Sequence, residues 1–513
     1  MNSNLTGRRR LLILIVAYNA EKNIRGVLGR VPRQLAEEYD VEVLVLDDSS
    51  DDRTFEKSRE VARVGAVPFP LHVLFNPINQ GYGGNQKIGY HFAIERGFDF
   101  VALLHGDGQY APECLPDLVR PLRDGEADAV FGSRMLERAA ALRGGMPLYK
   151  YVGNRILTRF QNWMLGSSLS EFHSGYRVYA VSALRRIPFA LNTNDFHFDT
   201  EIIVQLIIAG LRIKELPIPT YYGDEICHVN GLRYAGDVTK SVLVARSQRV
   251  GLFYDRRFDC APASLENAHY QPKFDFVSPH SAAMDAIPHG SRVLDLGCAG
   301  GYVGAALRRQ RGCHVTGVDR FPLGAAVELD AFIHHDLNDG VPAVDFRNYD
   351  HVLILDVIEH LASPEAFVDE LRQALKLAPS ATLLVSTANI GFVVNRLMLM
   401  LGQFNYGKRG ILDLTHSRLF TFASFRRLFQ QGGFRVRHVR GIPGPFPLVF
   451  GDGVVGRAMM AVNNALVRIA RGLFSYQMFF VVEPLPSLEY LLQTAHDESA
   501  VRSETPERRV GAG

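Results

Sequence analysis

Three things are scarce in this chain of 513 residues, and each scarcity removes a class of protein. The five cysteines, Cys114, Cys227, Cys260, Cys298 and Cys313, are odd in number, scattered and never in a CxxC pair. That excludes a disulfide framework and a cysteine zinc site, and it fits a reducing compartment. Net charge is scarce: 56 basic and 54 acidic residues leave only +2. Nucleic-acid binders usually carry a marked basic excess, so no nucleic-acid partner is expected. Long apolar runs are missing: none reaches the ~18 residues of a membrane span. Residues 1–10 are polar and end in Arg8-Arg9-Arg10, and Tyr18-Asn19 stops the apolar run 11–17, so neither a leader nor a span is expected.

What is present is enough apolar sequence for two cores. Hydrophobic content is 47% and charged content 21%, and the length favours two or three domains. Short apolar runs at 11–17, 41–46, 72–75, 100–104 and 129–132 alternate with helical patterns at 21–30 and 52–64, and a helical stretch follows at 150–165. This is the rhythm of a parallel sheet covered on both faces. The rhythm weakens over 255–279, the expected linker, and then restarts. Strands are expected at 292–296, 314–318, 331–334, 351–355, 382–386 and 474–482, with helices at 301–310 and 364–377. The expected division is 1–254, a linker at 255–279, 280–485, and a polar, disordered tail at 486–513. No internal repeat relates the halves.

Ligands of open parallel sheets sit at the carboxyl ends of the strands. In the first half Tyr18, Asn19 and Glu21 follow one expected strand, Asp47 and Asp48 end another, and His105-Gly106-Asp107-Gly108-Gln109 follows a third. A carboxylate there can accept from a base N–H or a ribose hydroxyl, and Asp107 with Gln109 can aim oxygens at one hard cation. Asp47 and Asp48 also suit a helix cap, and Gly81-Tyr82-Gly83-Gly84 suits either a turn or a phosphate-side loop. In order, Val16-Ala17-Tyr18-Asn19, Asp47-Asp48-Ser49-Ser50, Gly106-Asp107-Gly108-Gln109, Gly132-Ser133-Arg134 and Ser174-Gly175-Tyr176-Arg177 resemble the signature of inverting family 2 glycosyltransferases. The dolichyl-phosphate mannose synthase-like subgroup is the most similar.

That resemblance covers residues 8–235 and implies an α/β GT-A nucleotide-diphospho-sugar transferase fold. It implies that Tyr18, Glu21, Asp47 and Asp48 surround the nucleotide of a nucleotide-diphosphate sugar, with Gly83 near its phosphates. Asp107 and Gln109 would hold Mg²⁺ or Mn²⁺, and Arg134 and Arg177 would face phosphate or acceptor. His105 stands where the family usually has an aspartate; imidazole suits Mn²⁺ better than Mg²⁺, so His105 either joins the metal ligands or only lines the pocket. The acceptor is a polyprenyl phosphate, already an anion, or a glycan hydroxyl, which needs a base. Glu171, just before Ser174, is the candidate base.

In the second half Asp295-x-Gly297-x-Ala299-x-Gly301 follows an expected strand and opens a helix, and Asp319 ends the next strand. Small residues let backbone approach a ligand, and an NAD site would use the same physics. Downstream stand His334-His335-Asp336-Leu337, Asp356-Val357-Ile358-Glu359-His360-Leu361 and His416-Ser417-Arg418-Leu419-Phe420. Together these resemble class I S-adenosylmethionine-dependent methyltransferases over residues 280–483, which implies a second, Rossmann-like α/β domain. By that resemblance Asp295, Gly297 and Gly301 cradle the methionine portion, Asp319 holds ribose, Asp336 the adenine side, and Asp356 completes the cofactor site. His360 or His416 would be the general base for an O-methyl acceptor.

The expectation is a bifunctional cytoplasmic transferase of surface glycan or glycolipid synthesis. The alternative keeps a glycan-hydroxyl glycosyltransferase with a methyltransferase-like scaffold that has lost catalysis. Apolar stretches dotted with basic residues at 238–253, 393–404 and 446–473 suit packing, a homo-oligomer contact, or peripheral attachment at the inner face of a membrane.

Overall fold

The computed structural model describes residues 8–137, 140–219, 230–249, 254–260, 274, 276–376, 378, 380–446, 453–486 and 491–492. These fall into two compact units, the first running to Gln248 and taking in Asp255 to Cys260, the second holding Arg249, Tyr254 and the described residues from Phe274 onward. Both ends of the expected linker are folded. Phe258 is buried in the first core, and Ser278 closes a capping box with Ser281 at the start of the helix Pro279–Ala286. The rest of that segment, and nearly all of the expected tail, lie outside the described residues.

The first unit holds a seven-stranded sheet of β1 (Arg9–Ala17), β2 (Tyr39–Asp47), β3 (Leu71–Phe75), β4 (Phe100–His105), β5 (Ala129–Ser133), β6 (Arg177–Ala180) and β7 (Ile213–Pro217), in the order β3-β2-β1-β4-β6-β5-β7. Only β6 runs antiparallel to its neighbours. β1 shows why the run 11–17 reads as unbroken apolar sequence: Leu11, Ile13 and Ile15 enter one core while Leu12 and Leu14 enter another. A parallel strand covered on both faces has no solvent side to mark with polar residues.

The second sheet also has seven strands: β8 (Arg292–Leu296), β9 (His314–Asp319), β10 (Ala331–His334), β11 (His351–Leu355), β12 (Thr382–Ala388), β13 (Phe434–Ile442) and β14 (Gln477–Pro484), ordered β10-β9-β8-β11-β12-β14-β13. β14 is antiparallel to both neighbours, as expected of the late strand. In each sheet the first three strands step one way and the fourth lies on the other side of the first. The resulting switch points, β1/β4 and β8/β11, open crevices at the carboxyl edge where ligands of such sheets bind.

Three strands have no counterpart in the sequence reading: β6, β7 and β13. β6 is short, exposed charge breaks the apolar pattern of β7, and a bulge between Val436 and His438 shifts that of β13. The glycine-rich stretch from Gly81 is the first turn of a long helix, Gly81–Glu95, rather than a free loop. Its glycines serve packing: a Cβ on Gly89 would come within 2.2 Å of buried Leu14. Overpacking of that kind costs about 1–3 kcal/mol. Gly89→Ala is therefore expected to lower the first unit's unfolding midpoint in denaturant melts, and an unchanged midpoint would show that Leu14 can move aside.

Candidate active sites

The first crevice is built from loops that cross-link one another. The Asp48 amide donates to the Ala17 carbonyl, and the Gly106 amide to that of Val16, so the loops after β1, β2 and β4 continue the sheet's own pairing. Asn19 and Ser49 adopt left-handed backbone, at φ 50° and 63°. Asn19 is held there by its amide on Ser50 Oγ (2.9 Å) and by its Oδ1, which accepts from the Asp51 amide (3.0 Å). Asp47 is buried; Oδ1 accepts from the Ser50 amide at 2.9 Å, while Oδ2 has no partner in the protein. Burial, chiefly, pushes this carboxyl above its ordinary value. A buried acceptor left open at a switch point is a place for a ligand donor.

Asp48 does different work. Its Oδ1 accepts from Asn76 Nδ2 and the Gln80 amide, both at 2.8 Å, so it ties down the loop after β3. Tyr18 stands half exposed at the rim. Glu21 pairs with Lys57 at 2.9 Å, and that hydrogen bond holds its carboxyl below the usual range. Asp107 accepts from the Gln109 amide at 3.0 Å, and Asn23 Nδ2 donates to its carbonyl at 2.7 Å.

On the β5/β6 side a buried ion pair dominates. Glu171 receives the Arg134 backbone amide (2.8 Å), the Arg134 guanidinium and Asn154 Nδ2 (2.8 Å). Burial alone would raise this carboxyl, but Arg134 and the added hydrogen bonds outweigh it and leave it lowered. Arg177 is fully enclosed. It donates to the carbonyls of Ser174 (2.9 Å), Asp199 (2.8 Å) and Phe172 (3.0 Å), and its guanidinium lies over the Phe131 ring.

In the second crevice the turn after β8 has positive φ at Gly297 (79°), Ala299 (48°) and Gly301 (75°). A Cβ on Gly297 would meet Val357 at 2.4 Å, and one on Gly301 would meet Leu323 at 2.7 Å. Asp319 fastens the turn, with Oδ2 accepting from the Ala299 amide (2.7 Å) and Oδ1 from the Phe321 amide (2.8 Å). Asp295 is buried, and desolvation with Asp319 nearby raises its carboxyl to about 7. Asp336 caps its own turn through the Asn338 amide (2.9 Å) and lies 3.4 Å from Arg320.

Asp356, at φ 55°, is fixed from both sides, accepting from Ser386 Oγ (2.7 Å) and Gln477 Nε2 (2.6 Å). His360 and His416 meet edge to face with centroids 4.8 Å apart. Each has Nδ1 on a backbone carbonyl, that of Thr415 (3.2 Å) and that of Ile411 (3.0 Å), which leaves Nε2 as the acceptor on both neutral rings.

Residues 12–187 match the family model Glycosyl transferase family 2, and residues 267–439 match the model Methyltransferase domain. The undecaprenyl-phosphate mannosyltransferase of Micrococcus luteus is 32% identical over 211 residues, 41% of this chain and 82% of that protein. The chain belongs to glycosyl transferase family 2. The polyprenol monophosphomannose synthase of Mycolicibacterium smegmatis is 28% identical over 211 residues, 41% of this chain and 77% of that protein. The low-salt glycan biosynthesis hexosyltransferase Agl6 of Haloferax volcanii is 33% identical over 217 residues, 42% of this chain and 48% of that protein, so the chain spans about half of it. This family 2 member also carries a methyltransferase domain, and the two tandem α/β folds are those expected, GT-A followed by methyltransferase.

Four site expectations of the family 2 half change with the geometry. Glu171 is committed to Arg134 and Asn154, which leaves no free basic oxygen. Arg177 spends its donors on backbone carbonyls and braces the entry to β6 instead of facing a ligand. Gly83 gives its amide to the Asn194 carbonyl at 2.7 Å, and a Cβ there would strike Phe198 at 2.6 Å, so it packs a helix and does not approach phosphate. His105 is wedged between the rings of Tyr82 and Tyr110, with Gly175 against its edge. The Tyr82 hydroxyl donates to Asp199 at 2.9 Å, so His105 Nε2, 3.3 Å away, must donate to Tyr82 and cannot offer that atom to a cation. Among the described residues no three His, Cys, Asp or Glu side chains cluster to hold a metal. Sequence reasoning missed Asp199, Tyr82 and Asn154 as the braces of the site. Tyr82 lies in the glycine-rich motif from Gly81, and Asp199 in the polar run 194–201.

Two titrations follow, with opposite signs. Glu171 is held lower in the folded state, so its stabilisation is full above the unfolded-chain value of about 4.3 and is lost as pH falls through the folded value. Glu171→Gln should cost about 3 kcal/mol at neutral pH and flatten the acid limb of the stability curve. Buried Glu359 behaves in reverse, since desolvation and Asp356 raise it to about 8. The folded state then holds the extra proton between about 4.3 and 8, so stability falls as pH rises through that window. Glu359→Gln should be the more stable protein at pH 9 in thermal melts, and equal melting there would contradict this account.

Proposed function

We propose that the first unit transfers a sugar, with inversion, from a nucleotide-diphosphate sugar to a polyprenyl phosphate. We propose that the second transfers a methyl group from S-adenosylmethionine to an oxygen of a surface glycan or glycolipid precursor. The commitment of Glu171 to Arg134 carries the first reading. A sugar hydroxyl must lose its proton as it attacks, but a phosphate monoester is already an anion and needs no base. The names of the Micrococcus and Mycolicibacterium relatives, an undecaprenyl-phosphate mannosyltransferase and a polyprenol monophosphomannose synthase, support the same acceptor class.

In this reading the open Asp47 Oδ2 accepts an N–H of the donor's base, with Tyr18 and Glu21 beside it and Asp48 holding the loop they share. Asp107 stands at the diphosphate with Gln109. A divalent cation held by one carboxylate and the donor's own phosphates suits Mg²⁺ or Mn²⁺, and when bound it would offset the charge of the leaving diphosphate. Arg134, oriented by Glu171, meets the acceptor phosphate. A phosphate oxygen attacks the anomeric carbon from the face opposite the diphosphate, and the bond to the nucleoside diphosphate breaks with its electron pair leaving on oxygen.

In the second unit the Gly297–Gly301 turn leaves room for the methionine portion, and Asp295 and Asp319 lie under it. Asp319 keeps lone pairs for the ribose, and Asp336 lies on the adenine side. His360 Nε2 takes the proton from the acceptor hydroxyl as its oxygen bonds to the methyl carbon and the carbon–sulfur bond breaks toward sulfur. No helix among the described residues is long and apolar enough to cross a membrane. From the lipid-phosphate acceptor, we propose a peripheral enzyme at the cytoplasmic face of a membrane.

The test is a panel of nucleotide sugars with Mn²⁺ or Mg²⁺ and a short-chain polyprenyl phosphate, with and without S-adenosylmethionine, read by mass spectrometry of the lipid. A hexosylated lipid phosphate is expected, and Asp107→Asn should reduce its formation on the order of 10²-fold or more. No lipid product from a protein that a nucleotide sugar still protects thermally would overturn the acceptor. His360→Ala should abolish methyl transfer while leaving thermal protection by S-adenosylmethionine intact.

A further inference from the structure

The helix Val454–Ile469 carries apolar residues on its solvent side as well as on its packed side. Its solvent side is apolar: Val454 (77% exposed), Val462 and Ile469 (79%) follow one stripe, with Ala458, Ala461 and Ala465 filling it. Its inner side carries Asn463, which is buried, accepts from the Gly444 amide at 3.0 Å and donates to the Phe474 carbonyl at 3.1 Å. A helix facing only water presents polar residues there. The helix Val393–Met400 and the turn after it also expose apolar side chains: Leu397, Leu399 and Met400 (82%) on the helix, then Leu401 (78%) and Phe404.

The two faces border one element. Asn389, at the end of β12, donates to the carbonyls of Gly472 (3.2 Å) and Ser475 (2.8 Å), and the short helix Arg471–Phe474 lies between the two longer ones. On the methyl-transfer side, Leu414 is exposed next to Thr415, the residue whose carbonyl holds His360.

Charge says what covers this surface. Residues 391–412 contain Arg396, Lys408 and Arg409, residues 453–475 contain Arg457, Arg468 and Arg471, and neither segment contains an acid. Arg457 and Arg468 flank the apolar stripe of their helix. The acids that adjoin these segments in sequence are Asp413 and Asp452; Asp413 spends its Oδ1 on the Thr415 amide (2.8 Å) and hydroxyl (2.7 Å), and Asp452 lies outside the described residues. Apolar side chains bordered by these arginines fit a surface that is apolar inside and anionic at its rim, which is an anionic lipid bilayer.

We propose that the helices Val393–Met400 and Val454–Ile469 seat the methyltransferase unit on anionic lipid, beside its own active site. The proposal does not depend on which lipid, if any, is glycosylated. The full chain should float with vesicles of phosphatidylcholine and phosphatidylglycerol, less so in high salt, and weakly with phosphatidylcholine alone.

Met400→Asp with Val462→Asp, and separately Arg457→Gln with Arg468→Gln, should each lower partitioning roughly tenfold or more, at about 1 kcal/mol per basic residue. Both variants should keep thermal protection by S-adenosylmethionine, which separates loss of docking from loss of fold. Equal flotation with neutral vesicles, or unchanged flotation of the folded variants, would overturn the proposal. So would sedimentation showing that the variants abolish self-association while vesicle binding is untouched, since a second copy would then be the occupant.

Discussion

The buried pair of Glu171 and Arg134 is the constraint on which the first site turns. A carboxylate with no solvent contact is tolerable only if its charge and lone pairs are met inside the protein. Arg134 meets them with both backbone and guanidinium, and Asn154 adds a third donor. The next layer repeats the pattern, as Glu215 accepts from the amide and hydroxyl of Ser170, both at 2.7 Å, and from the Glu171 amide at 3.1 Å. The segment from Ser170 to Arg177 is thus pinned by charge at both ends, with Arg177 bracing its exit into β6. This rigidity fixes where Arg134 sits, and it removes Glu171 from acid–base work.

The second site rests on a different device. Asp319 holds the glycine turn through the Ala299 amide, and residues with positive φ carry the backbone around the space a ligand would fill. Both units use the switch point of a mostly parallel sheet, yet they leave different chemistry exposed there. The first leaves an open carboxylate oxygen on Asp47 and no free base on the acceptor side. The second leaves two imidazole nitrogens whose rings are oriented by backbone carbonyls. An anionic nucleophile suits the first arrangement, and a hydroxyl suits the second.

Much of this was legible in the sequence where local pattern and tertiary role coincide. The doubly buried strands announced themselves as unbroken apolar runs, and the glycine turn after β8 by its spacing. The glycosyl transferase motifs fall around the crevice at the β1/β4 switch point. What sequence did not show were donor–acceptor accounts. Glu171, Arg177, His105 and Gly83 lie in or beside the right motifs, but each is spent on a partner far along the chain. Glu171 and Arg134 are brought together by pairing through β5 and β6, and Gly83 meets Asn194 and Phe198 across a helix contact. β13 escaped because a bulge between Val436 and His438 shifts its alternation, and β6 because it is only four residues long.

The claim that the first site serves an acceptor that is already an anion is tested most directly by parallel turnover of a polyprenyl phosphate and the matching polyprenol, with one nucleotide sugar and the intact enzyme. The account predicts transfer to the phosphate and none measurable to the alcohol. Comparable transfer to the alcohol, abolished in Glu171→Gln, would contradict it and restore Glu171 as a base.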